Sequence, residues 1–403
     1  MTIKRTLLAA VAGALAATLM TGAGVKAADT IKIGEINSYS SLPAFTVPYR
    51  NGWQLALEEI NAAGGVLGKQ IEVISKDDAG KPPNAVTAAN ELVSKEGVSV
   101  LMGTFFSHIG LAVSDFSKQK QILFVAAEPL SDAVTWAKGH KYVFRVRPNV
   151  TVQADMLAEE AAKLPAKRWA TIAPNYEYGK SFVAAFKASL NKRRSDIEWV
   201  DEQWPPLFKL DAGSTVQALL RANPEAIFNA TFGPDVAKFV REGTTRNLFD
   251  GRTVVSALTG EPEYLDPLKD ETPNGWIVTG YPWSSIDTPE HNAFKAAYEK
   301  KFGDYPRLGS IVGYATMKAT VAIIANAGSL DTDALIKAGE GTTFDTPMGK
   351  ATFRPEDHQS TLGAYVGKTA MQDGKGVMVD WTYRDGADYL PDAAATKALT
   401  PWK

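Results

Sequence analysis

The sequence predicts an α/β protein built as two Rossmann-like lobes. Three observations point there. Short apolar runs alternate with helical patterns along most of the chain. The alternation starts afresh past Pro148, and 403 residues exceed the roughly 250–300 that a single core holds.

In the first half, Ile31-Lys32-Ile33-Gly34-Glu35-Ile36 reads as a buried strand. Pro48 to Ala63 sets Trp53, Ala56 and Ile60 on one helical face and stops at Gly64-Gly65. Strands follow at Ile71–Ile74, Val98–Met102 and Ile122–Ala126, with helices at Asn84–Glu96 and Ser107–Lys118 between them. Strand–helix alternation of this spacing implies βαβ units and a parallel sheet.

The second half repeats the pattern. Helices are expected at Thr151–Lys163, Tyr178–Leu190, Ser214–Arg221 and Pro234–Arg246. Strands are expected at Trp169–Ile172, Ile197–Val200, Ala226–Asn229, Thr253–Ser256 and Trp276–Val278. Beyond Tyr281 come two long helices, His291–Phe302 and the strongly apolar Gly309–Ala327. Gly363–Val366 and Val377–Trp381 then read as an antiparallel ribbon joined by Gln372–Gly376.

The N-terminal segment sets the expected compartment. Lys4-Arg5, a charge-free apolar run from Leu7 to Met20, and small residues ending Ala27-Ala28 form a secretory signal peptide, cleaved after Ala27 or Ala28. That run is shorter than the about 20 residues a membrane-spanning helix needs, and no second long apolar segment is expected. The 43 basic and 45 acidic side chains become 40 and 45 once Lys4, Arg5 and Lys26 are removed, a net charge of −5. Without a basic excess to neutralise phosphates, nucleic acid is not an expected partner. The chain has no cysteine, which excludes a thiol nucleophile, a thiolate metal site and a lipid-modified N-terminus. The mature protein is therefore expected to diffuse freely in a Gram-negative periplasm.

Catalytic motifs are missing. There is no Gly-x-Gly-x-x-Gly, phosphate loop, Gly-x-Ser-x-Gly or His-Glu-x-x-His pattern. Of four histidines, His140, His291 and His358 fall in polar contexts and are expected at the surface. The Asp77-Asp78 pair reads as the end of a strand capping the next turn rather than as an acid–base pair. What recurs is a set of loops at the carboxyl ends of strands, where open α/β sheets bind ligands. Gly103–His108, Pro174–Gly179, Thr231–Asp235 and Ala257–Gly260 carry hydroxyls, rings and helix-start N–H groups in both halves.

Ile31–Gly34, Glu58-Glu59-Ile60-Asn61-Ala62-Ala63-Gly64-Gly65, Asp77-Asp78 and Tyr176-Glu177-Tyr178-Gly179 together resemble the branched-chain amino acid (leucine/isoleucine/valine) binding proteins of ABC transporters. The resemblance runs in order through the mature chain. It implies a type I periplasmic binding protein fold, with two lobes joined by a three-crossing hinge that closes on ligand. Lobe 1 would take residues 29–148 and 282–362, and lobe 2 residues 149–281 and 363–403. It implies no enzyme activity and no cofactor. The implied partners are a small-molecule ligand and an inner-membrane ABC permease with its ATPase, the binding protein itself being a monomer.

Position by position, the resemblance places Phe45 as an aromatic of the first loop and Ser107 as the carboxylate-binding serine. Glu128 to Leu130 form the next loop, Tyr178 and Phe232 are rings of the second lobe, and Leu258 stands where the family has an acidic partner for the ligand's ammonium. Phe106, His108 and Thr259 flank these positions. Alternatives stay open: lobe core for Phe45 and Phe232, a helix cap for Ser107, a solvated loop for Glu128, and either ligand contact or a cover over the helix start for His108. Arg145 and Arg147, in the alternating run Tyr142–Arg147, read as crossing-strand residues rather than ligand clamps.

Leu258 cannot pair with an ammonium and Leu130 replaces a hydroxyl, and a buried cation without a counter-charge is costly. The expected ligand is therefore an aromatic or other non-amino carboxylate. The alternative is a branched-chain amino acid whose ammonium meets Glu128 or Glu261. From other classes, a periplasmic enzyme and a sensing partner of a membrane receptor are the rivals.

Overall fold

The apolar runs at the start of the chain become the strands of the first sheet in a computed structural model that describes residues 30–403. The signal-peptide reading lies outside the described residues. The first half runs β1 (Ile31–Asn37), α1 (Pro43–Ala62), β2 (Ile71–Asp77), α2 (Pro82–Glu91), β3 (Val100–Gly103), α3 (Ser107–Lys120), β4 (Leu123–Ala126) and β5 (Val143–Arg145). Its sheet has the order β2-β1-β3-β4-β5, all parallel. The β3, β4 and β5 side chains are wholly buried, as a sheet covered by helices on both faces requires.

The second half runs α4 (Val150–Ala161), β6 (Arg168–Ile172), α5 (Glu177–Arg193), β7 (Glu198–Gln203), α6 (Ala212–Ala222), β8 (Ala226–Asn229), α7 (Pro234–Thr245), β9 (Thr253–Gly260), α8 (Pro262–Leu265) and β10 (Ile277–Gly280). There follow α9 (Pro289–Phe302), α10 (Leu308–Ala327), α11 (Thr332–Gly339), β11 (Thr343–Thr346), β12 (Gly349–Thr352), β13 (Ala364–Gln372), β14 (Lys375–Arg384) and α12 (Ala393–Leu399). The second sheet has the order β14-β13-β10-β9-β8-β6-β7. Its β6 to β10 strands are parallel, whereas β13 and β14 add an antiparallel ribbon beside β10. The α/β class and the ribbon match the sequence expectation.

The chain passes between the two sheets after β5, after β10 and before β13. The first and third passages lie side by side: Arg145 N–H donates to His358 O (3.0 Å), Ser360 N–H to Arg145 O (2.9 Å) and Gln359 Nε2 to Arg147 O (3.0 Å). The chain end returns to the first half, although the sequence reading puts it with the second. Trp402 Nε1 donates to Thr135 O (3.0 Å) and Arg354 Nη2 to Thr396 Oγ1 (2.8 Å), so α12 packs beside the passage strands.

Helix α1 begins a turn earlier than expected and holds Pro48 inside, where the missing N–H leaves Ala44 O without its helical donor. Its partner is α10, and backbone meets backbone between them. A Cβ at Gly52 would lie 2.0 Å from Ser310 O, and one at Gly313 would lie 2.0 Å from Tyr49 O. Among the described residues α10 is the one helix long and apolar enough to cross a bilayer, against the expectation of no second such segment. Its most apolar stretch is 78% buried, so α10 is a core helix.

The expected surface histidines are all buried, because each ring finds polar partners inside. His140 Nε2 lies 2.8 Å from Ser114 Oγ, His291 Nε2 lies 2.7 Å from Tyr281 OH, and His358 stacks on Phe144 with ring centroids 3.9 Å apart. Burial lowers all three to about 4, which keeps them neutral at physiological pH.

Glu35 on β1 is also fully buried, and its carboxylate accepts from Ser75 Oγ at 2.6 Å. Burial pushes it up to about 8, against the pull of the Ser75 and Tyr39 hydroxyls and of Arg50. A carboxyl raised in the folded state favours folding while protonated, and it costs stability as pH climbs from the unfolded value through about 8. Glu35→Gln is therefore expected to gain on the wild type by up to about 1.4 kcal/mol per pH unit across that window. Urea unfolding at pH 5, 7 and 9 checks this, and parallel pH profiles would refute it.

Candidate functional site

The carboxyl ends of both sheets face one another across the passages, and their loops enclose a small cavity. From the first half come Phe105 and Ser107 after β3, then Glu128 and Leu130 after β4. From the second come Tyr176 and Tyr178 after β6, Phe232 after β8 and Leu258 on β9, with Arg147 at the first passage. The space left is about 10 Å³, room for one water molecule. Direct bonds hold the halves together around it. Ser131 Oγ donates to Glu177 Oε1 (2.7 Å), Gly309 N–H to Glu263 Oε1 (2.7 Å) and Arg307 Nε to Asp266 Oδ2 (2.9 Å).

The expected site residues divide. Ser107, Glu128, Leu130, Tyr178, Phe232 and Leu258 line the cavity. Phe45 does not: it sits on the first turn of α1 rather than in a loop, facing a separate inter-half cavity. Phe106 lies behind the wall, packed on Phe105, Phe208 and Tyr176. His108 stands edge-on to Tyr176 with ring centroids 5.4 Å apart, its ring lowered in pKa by burial. Thr259 turns into the sheet end, where its hydroxyl meets Ser256 Oγ at 2.6 Å.

Backbone conformation explains which neighbour faces the cavity. Thr104 has φ +66° and Leu258 has φ +65°, a left-handed conformation that branched or bulky side chains rarely adopt. Such outliers cluster at functional sites, held by their surroundings. Here Leu258 N–H donates to Thr279 Oγ1 (2.9 Å), which holds that turn in place. Ser107 is the first residue of α3, not its cap; Phe106 occupies the cap position and gives no side-chain bond. The Ser107 hydroxyl accepts from Ser131 N–H (3.1 Å) and keeps its own proton to donate. Ile109 and Gly110 N–H donate to Phe106 O (3.0 and 2.8 Å), which leaves the Ser107 and His108 N–H groups at the helix start without an intrahelical acceptor.

Arg147 lies at the first passage, in keeping with its reading as a crossing-strand residue, and it also lines the cavity. Its guanidinium pairs with Glu128 from the first half and with Glu261 from the second, forming a buried bridge across the cleft. Burial alone would lower the Arg147 pKa; the two carboxylates outweigh it and hold the group above its ordinary value, fully charged. Burial raises both glutamates against the pull of Arg147, and raises Glu261 well above the usual carboxylate range. Glu128 Oε1, Glu261 Oε2 and Tyr178 OH are buried without a partner among the described residues. Burial and the nearby Glu261 also keep the Tyr178 hydroxyl protonated. No cluster of histidine and carboxylate side chains able to hold a metal occurs among the described residues.

The family described as "Periplasmic binding protein" matches residues 30–375. The chain is 27% identical to "Leu/Ile/Val-binding protein homolog 7" of Brucella suis biovar 1 (strain 1330), over 95% of this chain and 96% of the relative. It is 25% identical to the "Leucine-, isoleucine-, valine-, threonine-, and alanine-binding protein" of Pseudomonas aeruginosa, over 81% and 86%. Among solved structures it superposes on a solute binding protein of an ABC transporter from Rhodopseudomonas palustris BisB5, in complex with 3,4-dihydroxybenzoic acid. That match has a TM-score of 0.80 at 24% identity, covering 89% of this chain and 98% of the other.

Proposed function

Because the chain belongs to the periplasmic binding protein family, we propose that it serves an ABC importer as the periplasmic receptor for a small organic carboxylate. It binds its ligand and does not transform it. The observation that carries the ligand class is the wall around Ser107: Leu130, Leu258, Phe105, Tyr176 and Phe232 surround a hydroxyl and a helix start. Such a lining suits an apolar or aromatic body with one anionic end. Glu128 at the same cavity and Glu261 beside it are each paired with Arg147.

Capture works through the three passages. The cleft holds about one water, so ligand enters a more open form, and the two halves then close against the ligand rather than to this spacing. Halves near residues 29–148 with 282–362 and 149–281 with 363–390 would move as the rigid bodies. A permease with its ATPase would receive the closed form, presented as a monomer.

A second reading, an amino acid ligand, draws support from the unpartnered oxygens of Glu128 and Glu261, which an ammonium would satisfy. Calorimetry with benzoate and with leucine separates the two. Benzoate is expected to bind, and Ser107→Ala to weaken it roughly ten- to hundredfold, the worth of a hydrogen bond to a charged group. Leu258→Glu sets another carboxylate at the cavity and is expected to reduce benzoate affinity at least as much. Leucine binding without benzoate binding, or a gain in affinity with Leu258→Glu, would overturn the carboxylate reading.

A further inference from the structure

A second cavity, of about 410 Å³, lies between the same two halves. Its lower wall is Leu42, Ala44 and Phe45 at the start of α1. Its upper wall is Pro234 and Ala237 of α7 with Tyr264 of α8. That volume falls in the range of small-molecule sites, and it is far larger than the space beside Ser107.

What separates the two chambers is a partition of side-chain rings. Phe45 faces the second chamber and Phe105 the first, and they meet edge to face with centroids 4.9 Å apart. Phe105 in turn lies 6.0 Å from Phe232, the ring of the second half in the first chamber. The Arg147 guanidinium, which borders the first chamber, stands 5.8 Å from the Phe45 ring centre. One ligand reaches both chambers only when the Phe105 ring turns aside from between Phe45 and Phe232.

The second chamber is shaped for hydrocarbon rather than for charge. Its two cations already have partners: Lys238 Nζ donates to Asp235 Oδ1 (3.1 Å) and Arg241 Nε to Glu271 Oε2 (2.6 Å). Glu263 Oε2 and Tyr264 OH, in side chains 4% and 3% exposed, line it without a partner among the described residues. They offer an acceptor and a donor to a polar group at the far end of an otherwise apolar ligand.

We propose that the two chambers bind one elongated carboxylate, its anionic head at Ser107 and its apolar tail beyond the Phe105 partition. This rests on the carboxylate reading above. The ligand class is then an arylalkanoate or a comparably long apolar acid rather than a compact one.

Calorimetry with benzoate, 3-phenylpropionate and 5-phenylpentanoate tests it on the wild type, Ala237→Trp and Ala44→Trp. Each added methylene that leaves water strengthens binding severalfold, so the wild type is expected to prefer 5-phenylpentanoate to benzoate by tenfold or more. Ala237→Trp fills the chamber from α7, and Ala44→Trp fills it from an exposed position on α1. Either variant is expected to erase that preference while benzoate affinity stays within about twofold. If benzoate binds and the longer acids bind no better, or if both variants keep the preference, the two-chamber inference is wrong. If no acid of the series binds, the carboxylate reading itself falls.

Discussion

Arg147→Ala is expected to destabilise the protein by about 3–5 kcal/mol at pH 8, the range measured when one partner of a buried ion pair is removed. Glu128 and Glu261 would both stay buried, and only protonation could relieve them. Their folded-state values already lie above the unfolded ones, and losing Arg147 removes the charge that holds them down. The cost should therefore be small near pH 5, where both glutamates can bind protons, and should grow as pH rises. Adding Glu128→Gln and Glu261→Gln to Arg147→Met is expected to restore most of the loss, since a neutral trio has no stranded charge. Urea unfolding of the three proteins at pH 5 and pH 8 is the measurement. An Arg147→Ala protein within 1 kcal/mol of the wild type at pH 8 would show that the bridge is not what closes the hinge side of the cleft.

The second large effect is expected where α1 crosses α10. On an exposed helix, Gly→Ala gains about 1 kcal/mol through helix propensity. At Gly313 the sign should reverse. The new methyl would sit 2.0 Å from Tyr49 O and 3.0 Å from Trp53 N, both backbone atoms that cannot rotate away. The helices must move apart, and the apolar faces they share lose contact. A loss of about 3 kcal/mol is expected for Gly313→Ala, with Gly313→Val failing to fold. Thermal unfolding followed by circular dichroism reads this directly, and an unchanged or raised midpoint would refute the close crossing.

Most of the strands were legible because a parallel sheet covered on both faces leaves uninterrupted apolar runs, as in Val100–Met102 and Leu123–Ala126. The β11–β12 ribbon was not. Its Thr343 and Asp345 face solvent, and only alternate residues such as Phe344 turn inward. The histidines escaped for a different reason: a polar turn reads as surface unless something packs on it, and the Phe144 ring that covers His358 is 214 residues away in sequence.

At the site, the loops were legible and the choice within them was not. Phe106 and Phe105 are neighbours, and the left-handed turn at Thr104 decides which one reaches the cavity. Tyr176 stood in a loop already singled out, two residues before Tyr178. Arg147 and Glu261 are 114 residues apart, so no local pattern announces their pairing. The available signal was the oddity of an arginine in an apolar alternating strand, which asks for buried acids elsewhere.

The α1–α10 crossing also bears on how the polypeptide is made. Tyr314 of α10 donates to Glu59 of α1 at 2.5 Å, and 255 positions separate the two. A ribosome thus delivers the glycine-notched face of α1 long before its mate exists, and finishes the intervening β6–β10 region first. Until α10 is made, the face of α1 that carries Gly52 has no backbone to close against, so the α1–α10 contact is among the last that synthesis allows.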